Sequence, residues 1–254
     1  AMGYTQIVFD FSSTGDAIAE RSNGDCIENE FFTISVQENG ALSITDKVSG
    51  RVYVDQMVFE ENGDDGDSYN YSPPERDLTV SSLGADVETI TSKGPVAEDL
   101  SLRMKLKVPY DLNERSAALT SAELPLQASV SLRKGERLIR FSVDVDNQVL
   151  SHRLRVLFDT GIASKLSIAD QPFGVIARPT TLEEVKVWER EQWTEKPITI
   201  EAMQSYVALN DGSRGVAVLT EGVREYEIIG PEHDTIALTL FRTFGYMGKE
   251  NLLY

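Results

Sequence analysis

The chain has 254 residues, of which 41% are hydrophobic, and carries a formal net charge of −17. Length and apolar content suffice for a sizeable core. The acidic balance, with no dense Lys/Arg cluster, excludes nucleic acid and anionic membrane as expected partners.

The N-terminus shows no signal peptide, and Ala1-Met2-Gly3 reads as a cloning remnant. Residues 4–11 read as one strand, and Ser12–Asp25, rich in Gly, Ser and Asp, as a boundary. Residues 1–24 are therefore expected to hold the remnant and a strand or linker of a preceding module, with one domain over residues 25–254. Cys26, the single cysteine, leaves no intrachain disulfide and points to a reducing, cytoplasmic compartment. Phe32, Ile34 and Val36 alternate with Thr33 and Ser35; Asn39-Gly40 supplies a turn dipeptide, and Leu42 and Ile44 resume the pattern, which predicts a hairpin. Leu102, Met104, Leu106 and Val108 alternate with Arg103, Lys105 and Lys107. Ile139, Phe141, Val143 and Val145 do the same with Arg140, Ser142 and Asp144, and Val216, Val218, Ile236, Leu238 and Leu240 repeat the period. Strands with one dry and one wet face predict stacked antiparallel sheets, an all-β fold built as one large antiparallel β-sandwich.

Helix signals are few. Residues 111–124 read as a polar loop with a short Ala-rich turn. Thr181 and Glu184 have capping-box spacing, although Val185 and Val187 fit a strand as well. No apolar run approaches the ~18 residues of a membrane-spanning helix. The chain stops at Asn251-Leu252-Leu253-Tyr254, apolar and without a closing turn, as expected of a piece of a longer polypeptide.

Much familiar chemistry is missing. His152 and His233 fall in no HxH, HxxxH or HxD arrangement, so a His/Cys metal site is not expected. His152 reads as a strand-edge residue and His233 as a turn residue. There is no G-x-S-x-G elbow and no phosphate-binding glycine loop. Acid runs such as Glu60-Glu61 and Glu183-Glu184 read as solvated faces, and counting carboxylates does not locate a glycosidase pair among them.

Residues 63–77, GDDGDSYNYSPPERD, are the most unusual stretch. Asp64, Asp65 and Asp67 break the alternation of an EF-hand loop, and Gly66 falls out of place for one. Pro73-Pro74 predicts a loop ahead of an edge strand. Tyr69, Asn70 and Tyr71 set ring faces beside amide and carboxylate groups, the combination that holds a sugar.

Five blocks then occur in order: IENEFFTISVQENGALSITDKVSGRVY (27–53), GDDGDSYNYSPP (63–74), RLRVLFDTGI (153–162), ADQPFGVIARP (169–179) and LFRTFGYMGKENLLY (240–254). Together they resemble the region C-terminal to the catalytic domain in glycoside hydrolase family 38, the α-mannosidases, of the bacterial type, from about Asp25 onward. The resemblance implies a galactose-mutarotase-like β-sandwich and, for the full-length enzyme, retaining hydrolysis of α-mannosides. It places the nucleophilic Asp and a zinc ion in an N-terminal α/β domain whose His-x-Asp motif this chain lacks. No cofactor is then expected in the fragment, which alone should be inactive. The implied partners are its own N-terminal catalytic domain and an α-mannoside, with homo-oligomers formed through the face that domain would cover. By the same resemblance a tyrosine of the 63–77 loop reaches the sugar. That residue is Tyr69, with Asp67 beside it and Tyr71 next on the same strand face, while Asp170 and Arg178 approach the same cleft. The acidic Gly66-Asp67-Ser68 departs from the more apolar loop of animal members. Two other classes compete: a free-standing carbohydrate-binding β-sandwich module using the same tyrosines, and a structural or adhesive domain with a calcium loop.

Overall fold

The structure is a computed structural model describing residues 20–193, 197–247 and 250–251. The strand expected over residues 4–11 and the apolar end at 252–254 lie outside the described residues. In chain order the first strands are β1 (Glu20–Ser22), β2 (Cys26–Glu28), β3 (Phe32–Val36), β4 (Leu42–Asp46), β5 (Arg51–Gln56) and β6 (Val58–Gly63). Next come β7 (Val80–Ser81), β8 (Glu88–Lys93), β9 (Ala97–Val108) and a short helix, α1 (Leu112–Ser116). They are followed by β10 (Ala122–Arg133), β11 (Ile139–Val145), β12 (His152–Asp159), β13 (Leu166–Gln171) and β14 (Gly174–Pro179). A 3-10 turn at Glu183–Lys186 precedes β15 (Ile200–Ala202), β16 (Tyr206–Asn210), β17 (Gly215–Leu219) and β18 (Glu225–Ile229). The last are β19 (Thr235–Thr243), β20 (Tyr246–Met247) and β21 (Glu250–Asn251).

Among the described residues strand far outweighs helix, which is limited to α1 and one 3-10 turn, so the all-β reading holds. The single large sandwich does not. The strands divide into four small sheets, ordered β1-β8-β9-β10-β11, β15-β18-β19-β12-β6-β7, β14-β13-β16-β17 and β2-β3-β4-β5, plus the ribbon β20-β21. The four sheets stand as a propeller-like ring of four blades. Alternation reports which face of a strand is dry; it says nothing of how many sheets the dry faces are shared among. Most strands here run six residues or fewer, and only β9 and β10 reach 12. All four sheets contribute to one apolar core, through residues such as Ile34, Leu102, Leu126, Leu154 and Val207.

The expected hairpin is present as β3 and β4, paired from Phe32↔Asp46 to Val36↔Leu42, with Gly40 at φ 83° in the turn. The Thr181–Glu184 capping box does not form. Leu182 precedes a 3-10 turn with no side-chain cap, and the stretch is neither a longer helix nor a strand. The polar loop expected at 111–124 holds α1, capped where the Asp111 carboxylate accepts from the Glu114 amide at 2.9 Å, and it ends earlier than expected, at the start of β10. Among the described residues no helix is long and apolar enough to cross a membrane.

Candidate functional site

β6, β12 and β19 lie side by side, and Asn62, Arg153 and Arg242 form one row across their ends. Opposite Leu154 and Arg155 the register slips, leaving Leu240 without a partner. This bulge turns Arg242 onto the face of Arg153; an unbroken strand would have sent it with Leu238 toward the core. The chain leaves β6 at Gly63, runs through the 64–79 loop over this row, and returns as β7, the edge of the sheet. The proline pair thus sits ahead of an edge strand, as expected.

The loop closes on charge and backbone bonds together. Asp64 is buried; its Oδ2 accepts from Arg242 Nε at 2.6 Å and its Oδ1 from the Gly66 amide at 2.9 Å. Arg242 Nη2 donates to the carbonyls of Asp67 at 3.1 Å and Asn70 at 2.8 Å. Asp67 Oδ1 accepts from the amides of Tyr69 at 2.8 Å and Asn70 at 3.0 Å, and these two bonds hold its carboxyl below the usual aspartate range. The Asp65 amide donates to the Ser72 carbonyl at 2.8 Å, and the Ser68 amide to the Tyr246 carbonyl at 3.2 Å. A Cβ at position 66 would stand 2.1 Å from the Asn70 carbonyl oxygen, so only glycine lets the turn close.

Tyr69 and Tyr71 do not share a strand face, because residues 64–79 form no strand. Tyr69 projects from the loop with 75% of its surface exposed. Tyr71 turns inward, its ring 3.6 Å from the Arg153 guanidinium and 5.8 Å from that of Arg242. Burial pushes its phenol above the usual range and pulls the Arg153 guanidinium below its own.

Beneath the loop lies a second ionic cluster that alternation did not reveal. Glu61, read from sequence as part of a solvated face, is fully buried and paired with Arg115 of α1. Arg115 also donates to Asp77 at 3.2 Å and to the Leu78 carbonyl at 2.6 Å, and Asp77 accepts from the Gly63 amide at 3.0 Å. His152 does begin a strand, but it is fully buried between Glu61 at 3.2 Å and Asn147 at 3.0 Å. The two ends of the loop are thereby tied to β6, β12 and α1.

Asp170 and Arg178 sit elsewhere, on β13 and β14. Asp170 accepts from the amides of Ser205 at 2.7 Å, Tyr206 at 3.0 Å and Gln204 at 3.1 Å, and from the Ser205 hydroxyl at 2.5 Å. Against the upward push of partial burial, these donors hold its carboxyl far below the usual range. Arg178 pairs with Glu201 at 2.8 Å and donates to the Tyr226 hydroxyl at 3.3 Å. Among the described residues neither is hydrogen-bonded or ion-paired to the 63–77 loop. The structure therefore brings Tyr69 and Asp67 together with Arg242, Tyr71 and Arg153, and leaves Asp170 and Arg178 in a separate blade.

The loop carboxylates do not converge on a common point. Asp64, Asp67 and Asp77 each face protein donors, and among the described residues no group of three or more His, Cys, Asp or Glu is arranged to hold a metal ion. Among the described residues, His152 is enclosed by Glu61 and Asn147, and His233 lies in the turn before β19.

Three comparisons bear on identity. The family model described as Glycosyl hydrolases family 38 C-terminal domain matches residues 27–247. A Halalkalibacterium halodurans protein named "Putative mannosylglycerate hydrolase" is 28% identical over 243 residues, covering 89% of this chain and 26% of its own length. The crystal structure of an alpha-mannosidase from Enterococcus faecalis V583 superposes with a TM-score of 0.76 at 26% identity, over 92% of this chain and 27% of that one. A second Enterococcus faecalis structure, of a protein in the glycosyl hydrolase family 38, gives the same TM-score and identity over 95% of this chain and 29% of its own. The chain thus spans between a quarter and a third of the length of these relatives.

Proposed function

This chain belongs to the glycosyl hydrolase family 38 C-terminal domain family, and on that premise we propose that it is the non-catalytic C-terminal portion of an α-mannoside hydrolase whose 63–77 loop lines the sugar cleft. The relatives' names supply the substrate class, α-mannosides, with mannosylglycerate as one member. One observation carries the role of the loop. Its backbone is fixed by the carboxylates of Asp64 and Asp67 and by Arg242, while the large amphipathic side chain of Tyr69 is left free at the tip. A tyrosine so placed offers a ring face and a hydroxyl to a polyol at little entropic cost, because the loop is already ordered. Asp170 and Arg178 have their polar groups engaged within their own blade and neighbouring strands, which supports a scaffolding role for both. The nucleophile and the zinc donors belong, on this reading, to a catalytic region outside this chain.

The test is direct. Rigorously purified chain is expected to release nothing from an aryl α-mannoside and to carry no stoichiometric zinc, whereas a polypeptide that also contains the catalytic region should hydrolyse the mannoside and bind zinc. Turnover by the chain alone would overturn the assignment.

A further inference from the structure

Arg242 and Asp64 stand 178 positions apart in sequence, yet one guanidinium draws the whole 64–72 turn onto the end of β19. We propose that Arg242 is the positioning residue of the sugar-facing loop, the group that fixes where Tyr69 stands. The inference rests on the reading that Tyr69 faces the sugar, and it names what that placement depends on.

The two carbonyls bridged by Arg242 Nη2 belong to Asp67 and Asn70, the residues that bracket Ser68-Tyr69. Holding both sets the position and the tilt of the tip at once. The third attachment, Nε to Asp64, is to a carboxylate with 1% of its residue surface exposed, so water does not replace the guanidinium there. Breaking that pair strands a buried charge. Only a planar fork reaches these three acceptors; a lysine supplies one point charge, enough for Asp64 alone. The same segment adds a fourth tie, the Ser68 amide on the Tyr246 carbonyl. The rings of Phe244 and Tyr71 lie 5.5 Å and 5.8 Å from the Arg242 guanidinium, so the fork is itself walled in. The Leu240 bulge gives all this its direction, since it turns Arg242 toward the loop. Without the fork, the tip keeps the Asp64 and Asp67 carboxylate bonds and its backbone bonds, but the carbonyls on either side of Ser68-Tyr69 are no longer held, and the Tyr69 hydroxyl loses its fixed place.

Two measurements test this. In the 254-residue chain, Arg242→Met should raise amide hydrogen exchange at Tyr69 and Asn70 by about tenfold or more while β9 and β10 keep their protection. Arg242→Lys should fall between, since it retains the Asp64 pair. In the longer polypeptide with the catalytic region, Arg242→Met should lower kcat/KM for an aryl α-mannoside by no more than Tyr69→Phe does, about three- to thirtyfold. That loss should nearly vanish in a Tyr69→Phe background, a dependence that a merely structural role does not produce. Unchanged exchange at Tyr69 and Asn70, or a kinetic loss fully additive with Tyr69→Phe, overturns the inference. If Tyr69→Phe alone leaves the kinetics untouched, the sugar-facing reading itself falls, and the exchange data still decide whether Arg242 holds the loop. Should Arg242→Met fail to fold, Arg242→Lys carries the same comparison.

Discussion

Two tyrosines two positions apart stand in opposite surroundings. Tyr69 makes no side-chain hydrogen bond to the described residues and stands mostly in solvent, so its hydroxyl adds nothing to folding. Tyr71 is half-buried, and its ring covers the buried guanidinium of Arg153. In the longer polypeptide, Tyr69→Phe should therefore lower kcat/KM by about three- to thirtyfold, the value of one hydrogen bond that strengthens toward the transition state. The melting temperature of the variant should match the parent's. Tyr71→Ala should behave in reverse, losing about 1–2 kcal/mol in urea unfolding as the cation–π contact and its packing go. A stability loss in Tyr69→Phe with unaltered kinetics would reduce the loop to a hinge.

At the scale of elements, what was legible followed the coverage of each strand. β9 has one dry and one wet face, and its alternation reads through without error: Leu102, Met104, Leu106 and Val108 are buried while Arg103, Lys105 and Lys107 are exposed. β6 is covered on both faces, so the rule that a charged pair marks a wet face fails there, and Glu61 is buried. The division into four sheets was not legible, because pairing partners far apart in sequence leave no trace in period-two alternation. Nor was Arg242. Its parity with Ile236, Leu238 and Leu240 places it on the core side until the unpaired Leu240 shifts the register. The 63–77 stretch was legible as a loop before an edge strand, but its anchors, Arg115 and Arg242, come from distant segments. The Glu61–Arg115 pair makes its own prediction. Both side chains are at most 1% exposed, so removing one leaves the other's charge uncompensated in the interior. Arg115→Met should cost about 3–5 kcal/mol, and Glu61→Met with Arg115→Met together distinctly less. Urea midpoints at constant m-value measure both. A single-variant loss below about 1 kcal/mol would mean that water reaches the pair.

On the scale of the whole molecule, the net charge of −17 and the apolar edge of one blade pull in opposite directions. β14 is an edge strand, and Val175 and Ile176 are both exposed on it. Phe173, in the turn before it, is fully exposed at φ 73°, a backbone conformation that disfavours a side chain of that size. Natural edges are usually guarded by charge. Here the one charged residue of β14, Arg178, is turned to Glu201. Such an edge pairs readily with a copy of itself, while the acidic surface opposes the approach of two chains. The chain should therefore self-associate reversibly in sedimentation equilibrium, more strongly at high salt, where the repulsion is screened. Phe173→Ser and Val175→Lys should each weaken the association without lowering the melting temperature, since neither side chain is buried. Adding the catalytic region in trans should compete with self-association if that region covers this edge in the intact polypeptide. A chain that stays monomeric at every concentration and ionic strength would show that the β14 edge, despite its composition, is stable bare in water.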